Sequence, residues 1–172
     1  MNKKRVVVIG GGTGTHTVLR GLRSHADALD ITAIVSMADS GGSTGRLRDE
    51  FGFLPIGDVR NALSALASEG GKHEALLRQL FMYRFSRGVG LEGHNFGNLF
   101  LTALTDILGS EVKAIEAASH ILQVSGRVIP VTVDNVQLAA KYADGTVVVG
   151  ENEIEEALLH KDNSRIMSLW LT

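Results

Sequence analysis

The amino-acid sequence predicts one α/β unit on a mainly parallel sheet, and three features carry that reading. Val6-Val7-Val8-Ile9 is an unbroken β-branched run, the mark of a strand buried on both faces. It leads into Gly10-Gly11-Gly12 and a helical segment, after which Ile31 to Met37 forms a second apolar run. Strand, helix and strand in that order imply a right-handed βαβ unit. Glycine is also in excess, at 20 of 172 residues against roughly 7% in average proteins, with only 2 prolines. Beside 44% hydrophobic residues, that excess indicates an ordered fold with special backbone sites.

The elements follow in order. After the first strand, Thr17-Val18-Leu19-Arg20-Gly21-Leu22 reads as a helix, and the strand Ile31 to Met37 runs into a Gly-rich loop, Asp39 to Gly45. Pro55-Ile56-Gly57-Asp58-Val59-Arg60-Asn61 opens the next helix, with Asp58 a natural N-cap. Leu76, Leu77, Leu80 and Phe81 recur at helix spacing, as do Leu99, Phe100, Ala103, Leu104, Ile107 and Leu108. Gly109 ends that second helix, and Glu111 to Leu122 forms another. Val128 to Val133 reads as a strand. Leu138 to Tyr142 and Thr146 to Val149 form a hairpin around Asp144-Gly145. A short helix, Ile154 to Leu159, precedes a last strand, Ile166 to Leu171. No repeat, low-complexity tract or linker interrupts residues 1–172, which are expected to form a single domain. The chain stops at Trp170-Leu171-Thr172 with no helix after an apolar strand. The expectation is therefore a fragment of a longer fold, or an open edge covered by a partner chain such as a second copy.

Bulk composition excludes several functions. Lys plus Arg number 17 and Asp plus Glu 19, a net charge of −2, so the basic excess of a nucleic-acid binder is missing. No stretch approaches the roughly 20 apolar residues of a membrane span. The opening Asn2-Lys3-Lys4-Arg5 precedes too short an apolar run for a signal peptide. With no Cys there is no disulfide framework and no thiol nucleophile, and a cytoplasmic location is expected.

The chemistry gathers in loops. Gly10-Gly11-Gly12-Thr13-Gly14-Thr15 joins the first strand to the first helix, where a helix N-terminus offers amides and a positive dipole end to a phosphate or carboxylate. A tight turn is the plainer alternative, but four glycines within five residues exceed its needs. The dinucleotide pattern G-x-G-x-x-G fails at Thr17 when counted from Gly12 and Gly14, although Asp39 could imitate its ribose-binding acid. The phosphate-loop pattern is absent, since Gly71-Lys72 is followed by His73. The second loop carries Asp39, Ser40, Gly41, Gly42, Ser43, Thr44, Gly45, Arg46 and Arg48. Arg46, ahead of Arg48, could clamp phosphate oxygens, and Asp39 a sugar hydroxyl, a base edge or hydrated Mg²⁺. Arg60 and Asn61 fall in the first turn of the next helix. Glu92-Gly93-His94-Asn95-Phe96-Gly97-Asn98 opens another, with Asn95 and Asn98 either reading a base or capping the helix and His94 a candidate acid or base. His16, His25, His73, His120 and His160 show no metal-like spacing, and no Ser-His-Asp triad can be assigned.

The segments GGGTGTHTVLRGL, ADSGGSTGRLRDEFGFLPIGDVRNALSALA and EGHNFGNLFLTAL occur in that order over about the first hundred residues. Together they resemble the gluconeogenesis-factor (YvcK-type) branch of the CofD-like (2-phospho-L-lactate transferase) superfamily. The resemblance implies a Rossmann-like three-layer fold with the ligand across the strand ends. It implies a nucleotide-sugar of the UDP-N-acetylglucosamine kind as ligand, no established catalysis, and roles in gluconeogenic growth, cell shape and cell-wall synthesis. The other branch transfers a phospholactyl group from a nucleotide diphosphate carrier to a deazaflavin with Mg²⁺, which stands as the alternative function. By position, Gly11, Gly12, Thr13 and Gly14 would cradle the diphosphate, Asp39 matches the superfamily acid, and Arg60, Asn61, His94 and Asn98 line the crevice. Two departures stand out. Asp39-Ser40 replaces the usual pair of acids, which weakens the case for metal-assisted transfer, and family members are longer, with a further Gly-rich segment absent here. The resemblance therefore implies that these residues form the N-terminal part of the family's fold and lack part of its ligand pocket.

Overall fold

A computed structural model describes residues 3–38, 41–160 and 165–172. The β-branched run lies in strand β1 (Lys4–Gly10), and helix α1 (Gly12–Arg23) carries the chain to β2 (Leu29–Val35). Five helices follow before β3 (Arg127–Pro130): α2 (Gly42–Phe51), α3 (Gly57–Leu66), α4 (Lys72–Met82), α5 (Phe96–Leu108) and α6 (Glu111–Ile121). The three strands form the expected parallel sheet in the order β1-β2-β3, with Val6 opposite Ile31 and Ala33 opposite Val128.

Right-handed crossovers that advance in one direction place their helices on one face of the sheet. Accordingly α1, α3 and α6 pack on the same side. They bury Ile31, Ala33, Val35 and Val128 beneath Leu19, Val59, Leu63 and Ile115. Phe81 of α4 joins this core and meets Phe100 of α5 edge to face, with ring centroids 5.9 Å apart. The alternation is visible along β2, where every second residue from Ile31 is buried.

Three elements differ from the sequence reading. Helix α1 starts at Gly12, five residues ahead of Thr17, because Gly12 takes a φ of +65° and turns the chain straight into the helix. Helix α2 takes up most of the second glycine loop: Ser43, Thr44 and Gly45 are helical and buried against α5. Packing there overrides the poor helix propensity of glycine. The third strand stops at Pro130 instead of running to Val133, since Pro lacks an amide to continue the ladder; only the Val131 amide still reaches the Val35 carbonyl, at 2.8 Å.

The remaining residues build a second, antiparallel sheet in the order β5-β4-β6, from β4 (Leu138–Tyr142), β5 (Val147–Val149) and β6 (Ile166–Leu171). The hairpin forms as expected, with Ala140 opposite Val148 and Gly145 at a φ of +87°. Helix α7 (Glu151–His160) covers this sheet through a core of its own, Ala140, Tyr142 and Ile154. The Tyr142 hydroxyl donates to the Ile154 carbonyl at 3.3 Å. Among the described residues no helix is long and apolar enough to cross a membrane.

Candidate functional site

At the carboxyl ends of β1 and β2 lies a cavity of about 590 Å³. Gly11, Gly12 and Thr13 contribute the start of α1, Ser36 the end of β2 and Gly41 the start of α2. Asp58 and Asn61 come from α3, while Glu151, Asn152 and Glu155 come from α7. The two glycine segments therefore open onto one crevice, as two loops after neighbouring parallel strands must.

The start of α1 is held in an unusual way. Its N-cap, Gly11, has no side chain to satisfy the first amides. Asp58 supplies the acceptor from another helix: the Gly12 amide donates to Asp58 Oδ1 at 2.7 Å. Asp58 is thus not the cap of its own helix, as the sequence suggested; Ile56 holds that position and Asp58 is the second residue of α3. A Cβ on Gly11 would overlap the Asp58 carboxylate and lie 3.3 Å from Ser36 Cβ, so only glycine permits this approach. Gly14, one turn-step further into α1, has open space where a Cβ would be. Among the described residues, the cavity wall contains three carboxylates, Asp58, Glu151 and Glu155, and no Lys, Arg or His.

A second polar cluster lies where α2 meets the start of α5. Ser43 Oγ sits 3.3 Å from His94 Nδ1 and accepts from the Asn95 amide at 3.2 Å and from Asn98 Nδ2 at 3.3 Å. Asn98 Nδ2 also donates to Thr44 Oγ1 at 3.3 Å. Asn95 is the N-cap of α5, its Oδ1 accepting from the Asn98 amide, and its Nδ2 donates to the Met82 carbonyl at 3.0 Å. All of these side chains are buried. Asn98 Oδ1 has no hydrogen-bond partner among the described residues. Burial pushes the His94 pKa below its ordinary value, Arg46 reinforces this, Glu50 opposes it and Arg84 adds to it.

The expected site residues thus divide. Gly11, Gly12, Thr13, Gly41 and Asn61 line the cavity, and Gly14 and Gly42 lie in the first turns of α1 and α2 beside it. Ser43, His94, Asn95 and Asn98 join α2 to α5, so the pair of asparagines caps and braces a helix start. Arg46 Nη2 donates to the Glu92 carbonyl at 3.1 Å, and Arg48 pairs with Asp49 at 3.3 Å. Arg60 is buried, with Nη1 3.3 Å from Met82 Sδ. Asp39 and Ser40 lie outside the described residues. Sequence reasoning missed Ser36, Glu151, Asn152 and Glu155. The α7 residues follow the glycine turn by well over a hundred positions and read locally as an ordinary acidic helix start.

The family described as 2-phospho-L-lactate transferase CofD matches residues 6–172. The gluconeogenesis factor of Halalkalibacterium halodurans is 48% identical over 157 residues, covering 91% of this chain and 47% of that protein. The gluconeogenesis factor of Bacillus subtilis is 46% identical over 154 residues, covering 90% and 47%. The crystal structure of a Bacillus halodurans protein of the UPF0052 family superposes with a TM-score of 0.89 at 44% identity, covering 100% of this chain and 52% of that one. The chain spans between about a third and about half the length of the curated relatives it matches. Fold, glycine turn and relatives agree: the chain belongs to the CofD family, in the branch of the gluconeogenesis factors.

Proposed function

We propose that the cavity at the ends of β1 and β2 holds a nucleotide-sugar of the UDP-N-acetylglucosamine kind. On this reading the protein is a cytoplasmic binding regulator of carbon metabolism, with effects on cell shape and cell-wall synthesis. The observation that carries it is the glycine turn at the start of α1, opening into a cavity at the carboxyl ends of parallel strands. The amides of Thr13 and Gly14 meet the diphosphate, while that of Gly12 is held by Asp58. Membership of a branch named for gluconeogenesis supports the regulatory half of the reading.

Mg²⁺ enters as a companion of the diphosphate. Among the described residues no three His, Asp or Glu side chains come together as a resident metal site. Three carboxylates nevertheless line the cavity, and they repel a bare diphosphate. The deciding experiment is a thermal-shift panel with UDP-N-acetylglucosamine, GDP, NAD and a deazaflavin, each with and without Mg²⁺. The expected result is stabilisation by the UDP-sugar, larger with Mg²⁺. The family description favours a second reading, transfer of a phospholactyl group from a nucleotide diphosphate carrier to a deazaflavin. Stabilisation by GDP and deazaflavin together, and not by the UDP-sugar, would establish that reading instead.

A further inference from the structure

Ser43 stands at the centre of the polar cluster between α2 and α5, and its hydrogen bonds fix the direction of the whole network. A hydroxyl offers one proton and two lone pairs. Ser43 Oγ accepts from the Asn95 amide and from Asn98 Nδ2, which occupies both lone pairs. Its own proton therefore goes to the third neighbour, His94 Nδ1, at 3.3 Å. Neutral His94 then carries its single proton on Nε2. A serine that gives its proton to an imidazole resembles an activated nucleophile. Ser43 is only 4% exposed and has no lone pair to spare, so it does not serve as one.

Protonation of His94 upsets this arrangement. The imidazolium carries a proton on Nδ1 as well, and Ser43 Oγ has no third lone pair to accept it. One donor must leave. The Asn95 amide is backbone at the N-cap of α5, whereas the Asn98 carboxamide turns about a torsion with two broad wells. Asn98 also holds the means of relief: it is 2% exposed, and its Oδ1 has no hydrogen-bond partner among the described residues. A half-turn brings Oδ1 to the Ser43 and Thr44 hydroxyls, each 3.3 Å from the Nδ2 that it replaces. The bonds then run from His94 to Ser43 to Asn98, opposite to their direction when His94 is neutral.

The junction that reverses belongs to the cavity wall. Ser43 is the second residue of α2, and Gly41, the N-cap, lines the cavity without a side chain to cap the helix. The Gly41 carbonyl accepts from the Gly45 amide at 3.1 Å, which joins the wall to the turn that Ser43 and Thr44 tie to α5. We propose that His94 is a positioning residue for the cavity: through Ser43, its protonation reverses the bonds that hold the first turn of α2 to α5 and shifts the Gly41 wall. The charged groups acting on His94 set when this happens. Burial and then Arg46 of α2 keep the ring neutral, Glu50 of α2 opposes them, and Arg84 of the turn before α5 assists. The reversed direction therefore belongs to acid conditions below pH 6.5.

The test needs no ligand, so it stands or fails apart from the nucleotide-sugar reading. Long-range proton–nitrogen NMR spectra of the full chain with isotope-labelled histidine report the tautomer of each ring across about pH 8 to 5, where histidine titrates. Neutral His94 should carry its proton on Nε2. Backbone amides of Gly41 to Gly45 and the Asn98 side-chain amide should shift with the midpoint of His94, followed separately from that of His16. In Ser43→Ala, His94 should still titrate, while Asn98 and the α2 amides lose most of that shift. A through-space effect of charge alone would persist in this variant. Three results overturn the proposal: a neutral His94 protonated on Nδ1, α2 amides indifferent to His94 in the wild type, or α2 amides that keep most of their shift in Ser43→Ala. If Ser43→Ala fails to fold, the wild-type tautomer and titration decide by themselves.

Discussion

At the scale of single residues, Gly11, Gly12 and Gly14 are close in sequence and differ in physics. Gly11 is glycine because the Asp58 carboxylate lies against it, and Gly12 because its φ is +65°. Gly14 meets neither demand: it is helical, with open space where a Cβ would stand. Gly14→Ala is therefore expected to stabilise the free protein by about 0.5–1 kcal/mol, the usual gain of Ala over Gly inside a helix. If a diphosphate rests on the Thr13 and Gly14 amides, the same methyl group crowds it and weakens binding. Urea unfolding and calorimetric titration with UDP-N-acetylglucosamine read the two effects separately; tighter or unchanged ligand binding would remove Gly14 from the cradle. His94 makes a different prediction. Its folded pKa is lowered from 6.5 by burial first and then by Arg46, with Glu50 opposing and Arg84 assisting. His16 is lowered too, by burial and by Arg20, Arg60 and Arg23. A depressed folded pKa means that the unfolded chain takes up its proton first on acidification. Stability is then intact above pH 6.5 and is lost as the pH falls from there through the folded value. Replacing His94 with Gln should flatten this acid-side loss, leaving the part due to His16; urea midpoints from pH 7.5 to 5 of both proteins, if parallel, would contradict it.

At the scale of elements, the junction of α4, α5 and α3 depends on a glycine that the glycine loops draw attention away from. Gly97 is the second residue of α5, and a Cβ there would run into the Phe81 carbonyl oxygen and stand 2.9 Å from Arg60 Cδ. Backbone on one side and a buried side chain on the other leave little room to yield. Gly97→Ala should cost roughly 1–3 kcal/mol by overpacking, offset only in part by better helix propensity. A thermal melt at or above the wild-type midpoint would show that the helices part without cost. The same elements show what was legible in the sequence. β1, β2, α5, α6 and the hairpin follow from periodicity and turn residues, which are local signals. The course of α2 does not, because Ser43, Thr44 and Gly45 are poor helix formers held by contacts with residues fifty positions away. For the same reason Asp58 read as a cap: its partner, Gly12, is 46 residues distant. Of the candidate site, the glycine turn was legible because glycine marks backbone geometry directly. The α7 wall was not, because nothing in Glu151, Asn152 and Glu155 distinguishes a cavity lining from a solvated helix start.

At the scale of the whole molecule, the chain has two cores, and the cavity takes walls from both. The large core lies between the parallel sheet and its helices, whereas β4, β5, β6 and α7 share a small one built on Ala140, Tyr142 and Ile154. The small core has few side chains, and Tyr142 is its largest fully buried one, with its hydroxyl bonded to Ile154. Truncating a buried aromatic costs about 3–5 kcal/mol, more than so small a unit has to lose. Tyr142→Ala should therefore open β4 to β6 and α7 while leaving the parallel sheet folded. Hydrogen exchange can separate the two outcomes: amides of β4 and α7 should lose protection, and those of β2, central in its sheet, should keep it. The variant should also lose the Glu151, Asn152 and Glu155 wall and bind a UDP-sugar more weakly, with Gly11 to Gly14 still in place. If β2 loses protection together with β4, the two sheets fold as one cooperative unit. The glycine turn and the α7 wall would then be parts of a single rigid crevice.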